Sequence, residues 1–179
     1  YVHKTFLPNY NEFYEKRWFS VEAVDAEPRI FRLPSGVTFG VEICEDLWSA
    51  IPPSSKLATS GADIILNLSA TDELIGKHAY LLSLLAQQSA RTMSGYVYSS
   101  CGFGESTQDV VYGGNAIIYE NGVQLAHSER FALTPQLVIS QIDVERLRSE
   151  RRANTTFGRA QGSLMSKAEV VNLELDDEA

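Results

Sequence analysis

The segment ADIILNLS (62–69) constrains the fold of this chain more than any other feature. It is a nearly continuous run of apolar residues and lacks the alternation of apolar and polar residues that marks a strand with one solvent-exposed face. Such runs are typical of strands that are buried on both faces in the middle of a sheet. We therefore expect a central sheet that other elements cover on both sides.

The segments around this strand predict an α/β architecture. Apolar residues at helical spacing favour a helix over 72–93, closed by Gly95, and a short helix follows Pro52 and Pro53. The pattern predicts hairpins at 29–43 and 115–128, further strands at 96–100 and 136–143, and a helix at 144–152. Strands that alternate with helices are typical of an α/β fold whose central sheet is covered by helices.

Composition restricts the partners of the chain. The 179 residues fit one domain, and the net charge of −8 argues against nucleic acid or an anionic membrane as a partner. The basic run at 146–152 contains Glu150, so we interpret it as a solvated helix face. No apolar run approaches the roughly 18 residues of a membrane-spanning helix. The two cysteines do not predict a disulfide scaffold, and we expect a cytoplasmic protein.

Cys44 lies where the alternating stretch VTFGVEI (37–43) ends. A side chain at the carboxyl end of a sheet strand projects into the crevice where α/β proteins bind ligands. Cys44 is therefore a candidate nucleophile, although a small buried residue is the alternative. The acids Glu45 and Asp46 are interpreted as caps of the following turn, since the helix dipole favours acids there.

A nucleophilic thiol needs a base and a nearby positive charge. The three histidines lie in unrelated contexts, and no Cys/His pair has the spacing of a metal site, so we predict no metal. Lys4 precedes an apolar segment stiffened by proline, where a buried ammonium would need a carboxylate. A cysteine, a lysine and a carboxylate would form a self-consistent set for attack on a carbonyl.

Four motifs resemble the glutaminase domain of glutamine-dependent NAD synthetases, a branch of the nitrilase superfamily. They are KTFLPNYNEFYEKRWF (4–19), VEICEDLW (41–48), LNLSAT (66–71) and GFGESTQDVVYGG (102–114). The resemblance implies a nitrilase-type four-layer α-β-β-α sandwich whose N-terminal part is missing. It covers residues 1–157 as a partial carbon-nitrogen hydrolase domain and leaves the structure of the C-terminal segment 158–179 open.

The resemblance also implies roles for individual residues. Cys44 would be the nucleophile that forms a γ-glutamyl thioester, Lys4 the catalytic lysine, and Glu15 a supporting carboxylate. The glutamine pocket would include the residues Tyr10, Glu45 (through its backbone N–H), Thr71 and Lys77. Thr71 and Lys77 replace a serine and an arginine of the family, and lysine cannot bind a carboxylate bidentately.

Other parts of the family's machinery lie outside this sequence. The family's general base is a glutamate on a strand well before the lysine, and Lys4 is the fourth residue here. The family's ATP-pyrophosphatase domain, which uses ATP and magnesium to amidate deamido-NAD, is also outside it. The resemblance implies no cofactor for the amidase half, a large homo-oligomer, and poor glutaminase activity for the chain alone.

Two other functions remain open at this point. A stand-alone nitrilase-family amidase or carbamoyl hydrolase would share Cys44 and Lys4 but need no second domain. A non-catalytic remnant would use its sheet only as an assembly surface. The loop 102–109 is expected beside the pocket, where Glu105 would contact the substrate or Lys4 or be an ordinary loop carboxylate.

Overall fold

The computed structural model describes residues 1–21, 26–105, 110–164 and 168–174, with the side chain of Leu164 excepted. These residues form a seven-stranded mixed sheet in the order β6-β5-β4-β3-β2-β1-β7. The strands are β1 (Arg29–Arg32), β2 (Thr38–Ile43), β3 (Ile64–Ser69), β4 (Gly95–Ser100), β5 (Ala116–Glu120), β6 (Val123–His127) and β7 (Glu169–Asn172). The predicted α/β class is confirmed.

The three central strands, β2, β3 and β4, are parallel, so their carboxyl ends meet at one edge of the sheet. β1 runs antiparallel to β2, β5 to β4 and β6 to β5, whereas β7 runs parallel to β1. The helices are α1 (Pro53–Thr59), α2 (Lys77–Thr92), α3 (Val144–Ala153) and α4 (Thr155–Leu164). In the part of the chain described, no helix is long and apolar enough to cross a membrane.

One face of the sheet packs against α1 and α2. Ile65 and Leu85 are fully buried there, and Tyr96 lies in the same core. Gly40 lets α1 approach β2 closely, because a Cβ at this position would lie 2.9 Å from Cδ2 of Leu57. The hydrophobic core of the described residues lies between this face and the two helices.

The opposite face is more open. Leu68 at the end of β3 is 57% exposed, whereas Ile65 and Asn67 on the helix side of the same strand are fully buried. The expectation that 62–69 is buried on both faces is therefore wrong for the described residues. An apolar run predicts that a strand is buried, but whether its second face is covered depends on which other segment packs against that face. The run itself does not reveal this.

Both predicted hairpins are confirmed. β1 and β2 pair antiparallel, and β5 and β6 are joined at Asn121 and Gly122, whose φ angles are 44° and 85°. Positive φ at both central residues is what a type I′ turn requires. The helix predicted over 72–93 begins later, at Lys77, because Gly76 adopts φ 81° directly before it.

The strand predicted at 136–143 is absent, and the described residues form no ladder there. A strand needs a neighbour to accept its hydrogen bonds, and the alternating pattern does not reveal whether one exists. Ile142 instead covers Gly95, where an added Cβ would lie 2.7 Å from its Cδ1. The predicted helix at 144–152 is confirmed as α3.

Arg151 fixes α3 against the end of α2. Arg151 is 7% exposed, and its guanidinium donates to the carbonyl oxygens of Thr92 and Met93. These carbonyls lie at the carboxyl end of a helix, where intrahelical donors have run out. The C-terminal segment 158–179, left open by the sequence, contributes the rest of α4 and the edge strand β7.

A buried carboxylate stands beneath the end of β2. Glu42 is 1% exposed, and its Oε2 accepts from the backbone N–H of Ser54 at 2.7 Å, in the first turn of α1. Its Oε1 accepts from Tyr96 Oη and from Asn67 Nδ2, the latter at 3.5 Å. Burial raises the pKa of Glu42. The network ties β2, β3, β4 and α1 together two residues before Cys44.

Candidate active site

Cys44 lies at the predicted place, directly after β2 and at the start of a short 3₁₀ helix, Cys44–Trp48. Its φ is 50°, in the left-handed region that non-glycine residues avoid. Such backbone strain at the end of a central strand is typical of functional sites. The turn presents the thiol at the edge where the parallel strands end.

Asp46 closes this turn from within. Its Oδ2 accepts from the backbone N–H of Ile43 at 2.9 Å, and its Oδ1 accepts from Thr5 N at 3.0 Å and Phe6 N at 2.9 Å. The side chain is 1% exposed. Its role as a cap of the turn is confirmed, and the same carboxylate also binds the segment that follows Lys4.

Lys4 pairs with Glu15, as a partly buried ammonium requires. Nζ of Lys4 lies 2.6 Å from Oε2 of Glu15, and the two side chains are 14% and 27% exposed. The charge of Lys4 also acts on Glu45 and Asp46, and it lowers the pKa of both carboxyls against the larger raising effect of burial. The pair therefore lies beside the turn that carries Cys44.

Tyr10 and Glu45 form a second contact between the same two segments. The Tyr10 hydroxyl donates to the Glu45 carboxylate, with distances of 2.8 Å to Oε1 and 2.9 Å to Oε2. Burial, followed by the hydrogen bond and the charge of Glu45, raises the pKa of Tyr10. Glu45 lies in the first turn, where the helix dipole favours an acid, but its carboxylate binds Tyr10 rather than a backbone N–H of the turn.

Thr71 lies across from the thiol at the end of β3. Its Oγ1 is 3.9 Å from Sγ of Cys44 and accepts a hydrogen bond of 2.8 Å from Tyr98 Oη. Thr71 is 6% exposed. The structure therefore places a buried hydroxyl next to the candidate nucleophile, and sequence reasoning missed Tyr98 as its support.

Lys77 begins α2 and is already paired. Its ammonium contacts the carboxylate of Asp72 and lies 5.4 Å from the ring centroid of Trp48. Asp72 is 2% exposed and was also missed, although its place three residues after the strand end LNLS was a signal. The Asp72 carboxylate therefore competes with any substrate carboxylate for the ammonium of Lys77.

Tyr112 is a further residue of this edge. Its backbone pairs with Asp72 in an isolated bridge. Burial raises its pKa, and the charges of Cys101, Asp72, Glu105 and Cys44 add to the effect. Glu105 belongs to the loop expected beside the pocket, and its charge acts on Cys101 and Tyr112. Residues 106–109 of the same motif lie outside the described residues, and a contact of Glu105 with the substrate or Lys4 stays a prediction.

Cys101 differs from Cys44 in its surroundings. Both thiols are free. Burial and the charge of Glu105 raise the pKa of Cys101 to about 11, so at neutral pH it is a thiol rather than a thiolate. Over the described ranges, no group of three or more His, Cys, Asp or Glu residues is placed to hold a metal ion.

A cavity of about 610 Å³ lies next to the site. It is lined by residues of the amino-terminal segment, of 26–29 and of α1, among them His3, Phe6 and Leu57. Cys44 does not line it. The candidate site is therefore distinct from this cavity. It is formed by residues at the ends of the strands and by the segment 4–15.

Comparisons with known proteins agree with this geometry. The carbon-nitrogen hydrolase family model matches residues 2–152. A glutamine-dependent NAD(+) synthetase of Mycobacterium bovis is 38% identical over 173 aligned residues, which cover 87% of this chain and 25% of that protein. The chain thus spans about a quarter of the length of this curated relative.

Solved structures give the same result. The glutamine-dependent NAD+ synthetase of Acinetobacter baumannii superposes with a TM-score of 0.64 at 28% identity, covering 72% of this chain and 23% of that one. A carbon-nitrogen hydrolase of Helicobacter pylori has a TM-score of 0.70 at 20% identity, covering 87% and 56%, and shows the fold. The resemblance found in the motifs is confirmed, and the chain belongs to the carbon-nitrogen hydrolase family, a family of enzymes.

Proposed function

We propose that this chain is the glutamine amidohydrolase part of a glutamine-dependent NAD synthetase. The observation that carries the proposal is the turn at Cys44, whose left-handed φ of 50° presents a thiol at the edge of the sheet and whose Asp46 binds the segment that follows Lys4. The family model and the similarity to NAD synthetases support it.

The reaction uses the thiol as a nucleophile. Sγ of Cys44 forms a bond to the carbon of the glutamine side-chain amide and gives its proton to a carboxylate base, which the family supplies from a strand ahead of the lysine motif. The Lys4 ammonium and the backbone N–H of Glu45 stabilise the oxyanion. That N–H lies in the first turn of the 3₁₀ helix, where intrahelical acceptors are lacking.

Two bond cleavages complete the cycle. The C–N bond breaks, and ammonia leaves with the proton that came from the thiol. Water then adds to the thioester, glutamate is released, and the thiol is restored. The ammonia would be used for ATP- and magnesium-dependent amidation of deamido-NAD in a synthetase domain that these 179 residues do not include. Assembly into a homo-oligomer stays a prediction.

Protection of the thiol tests the substrate. Glutamine is expected to slow the alkylation of Cys44 by iodoacetamide, whereas asparagine, which is one methylene shorter, is not. The rate is followed by peptide mass spectrometry in the Cys101→Ser chain, so that only one thiol reacts. Equal protection by both amides, or by neither, would contradict a glutamine site.

The Lys77–Asp72 pair favours a second candidate. Because the ammonium of Lys77 is already paired, the pocket also fits an amide that lacks an α-carboxylate, as a stand-alone nitrilase-family amidase would bind. Protection by a neutral amide such as butyramide, and not by glutamine, would support this second candidate against the first.

A further inference from the structure

Asp46 is a buried carboxylate that the proposed chemistry does not use. It is 1% exposed, and over the described residues no lysine, arginine or histidine nitrogen lies within ion-pair distance of it. Three backbone N–H groups compensate its charge instead, and they come from two segments about 40 residues apart in the chain. A charge buried without a counter-ion needs such donors.

We propose that Asp46 is the positioning residue that holds Lys4 in register with Cys44. It deepens the function proposed above, because the thiol and the ammonium are the groups assigned there. Asp46 touches neither the substrate nor the reacting atoms, so it acts through the two residues that it positions.

One oxygen of Asp46 holds the turn. Oδ2 accepts from Ile43 N, the residue before Cys44, at 2.9 Å. This bond closes a ring around Cys44 and supports its left-handed φ of 50°. Strained backbone persists only where surrounding contacts determine it. The direction in which Sγ points therefore depends on Oδ2.

The other oxygen holds the lysine segment. Oδ1 accepts from the consecutive N–H groups of Thr5 and Phe6, at 3.0 and 2.9 Å. Two neighbouring peptide groups that point at one atom fix the direction of the chain at Lys4. The Lys4 side chain then has one further constraint, its pair with Glu15. A rigid side chain thus links the nucleophile and the ammonium.

Only a carboxylate satisfies both sides. Its two oxygens are acceptors, whereas the amide of asparagine has one acceptor oxygen and one NH₂ donor. Asp46→Asn keeps the shape of the side chain but has to lose either the bond to Ile43 or the bonds to Thr5 and Phe6. This substitution therefore removes an acceptor that positions the two segments without changing the size of the side chain.

The test is the rate of Cys44 alkylation by iodoacetamide at neutral pH in the Cys101→Ser chain. A nearby ammonium favours the reactive thiolate, whereas a nearby carboxylate disfavours it. Removal of the Asp46 charge alone would therefore speed alkylation, so slower alkylation of Asp46→Asn reports the loss of the Lys4 position. We expect Asp46→Asn and Lys4→Met each to slow alkylation roughly tenfold, and the double variant to be no slower than Lys4→Met, because Asp46 acts through Lys4.

The matched control is Asp143→Asn. Asp143 also accepts a backbone N–H with its carboxylate, from Arg146 at the start of α3, and asparagine is an equally good helix N-cap. This variant should leave the alkylation rate unchanged. Thermal unfolding is measured for every variant. If Asp46→Asn does not fold, Asp46→Glu, which keeps both acceptor oxygens and the charge, is expected to slow alkylation by a smaller factor.

Two results would overturn the proposal. One is an Asp46 variant that unfolds at lower temperature but is alkylated at the wild-type rate or faster, which would mean a purely structural role or a direct effect of its charge. The other is a double variant that is slower than Lys4→Met by the full factor seen in Asp46→Asn. Failure of glutamine to protect Cys44 would reject the proposed function but not this inference, because alkylation by iodoacetamide needs no substrate.

Discussion

The ammonium of Lys77 is paired with the buried carboxylate of Asp72 and lies over the ring of Trp48. An incoming α-carboxylate has to displace Asp72 or share the ammonium with it. Lysine offers a compact charge, whereas arginine presents a planar fork that can bind two carboxylates at once.

Lys77→Arg is therefore expected to improve recognition of glutamine. We expect a diazoketone analogue of glutamine to label Cys44 about three- to tenfold faster in this variant, because the guanidinium can keep Asp72 and still bind the substrate. Lys16→Arg, the same change at an exposed lysine, is the control. A rate that is unchanged or lower in Lys77→Arg would show that the Lys77–Asp72 pair does not limit substrate binding.

Gly40→Ala tests the close packing of α1 on β2. The added methyl group would lie 2.9 Å from Leu57, so the helix has to shift. We expect the free energy of unfolding in urea to fall by roughly 1–3 kcal/mol. Gly162→Ala in α4 meets no atom within 4 Å and should raise stability by about 0.5–1 kcal/mol. Equal effects at the two sites would contradict the packing argument.

Glu42 predicts a pH dependence of stability. Burial raises the pKa of its carboxyl above the ordinary 4.5, so the native state binds this proton more tightly than the unfolded chain does. Stability from Glu42 is therefore present below that ordinary value and is lost as the pH rises towards the raised pKa. In Glu42→Gln, the decline in unfolding free energy as the pH rises above the ordinary 4.5 should be shallower. A decline of equal slope in the two proteins would rule Glu42 out as its source.

The predictable parts of this structure are those that depend on neighbouring residues. The alternation of 37–43 placed Cys44 at a strand end, and Asn121-Gly122 fixed a hairpin tip. Both rest on local backbone preferences. The strand predicted at 136–143 failed, and β7 was missed in a segment of four residues, because pairing depends on which distant segment supplies a partner.

The site shows the same division. The resemblance named Lys4 and Cys44, and the structure brings their segments together. The connection itself, the bond from Asp46 to Thr5, spans 41 residues and leaves no periodic signal. The pair of Lys77 with Asp72 was equally hidden, because a lysine near a carboxylate in sequence is usually solvated. Side-chain partners across the fold become visible only in three dimensions.

The role of Cys44 as the nucleophile is tested most directly by treating the 179-residue chain with the diazoketone analogue of glutamine and mapping the adduct by peptide mass spectrometry. We predict a covalent adduct on Cys44, slowed by glutamine and lost in Cys44→Ser but not in Cys101→Ser. An adduct on Cys101, or no adduct on either cysteine, would contradict it.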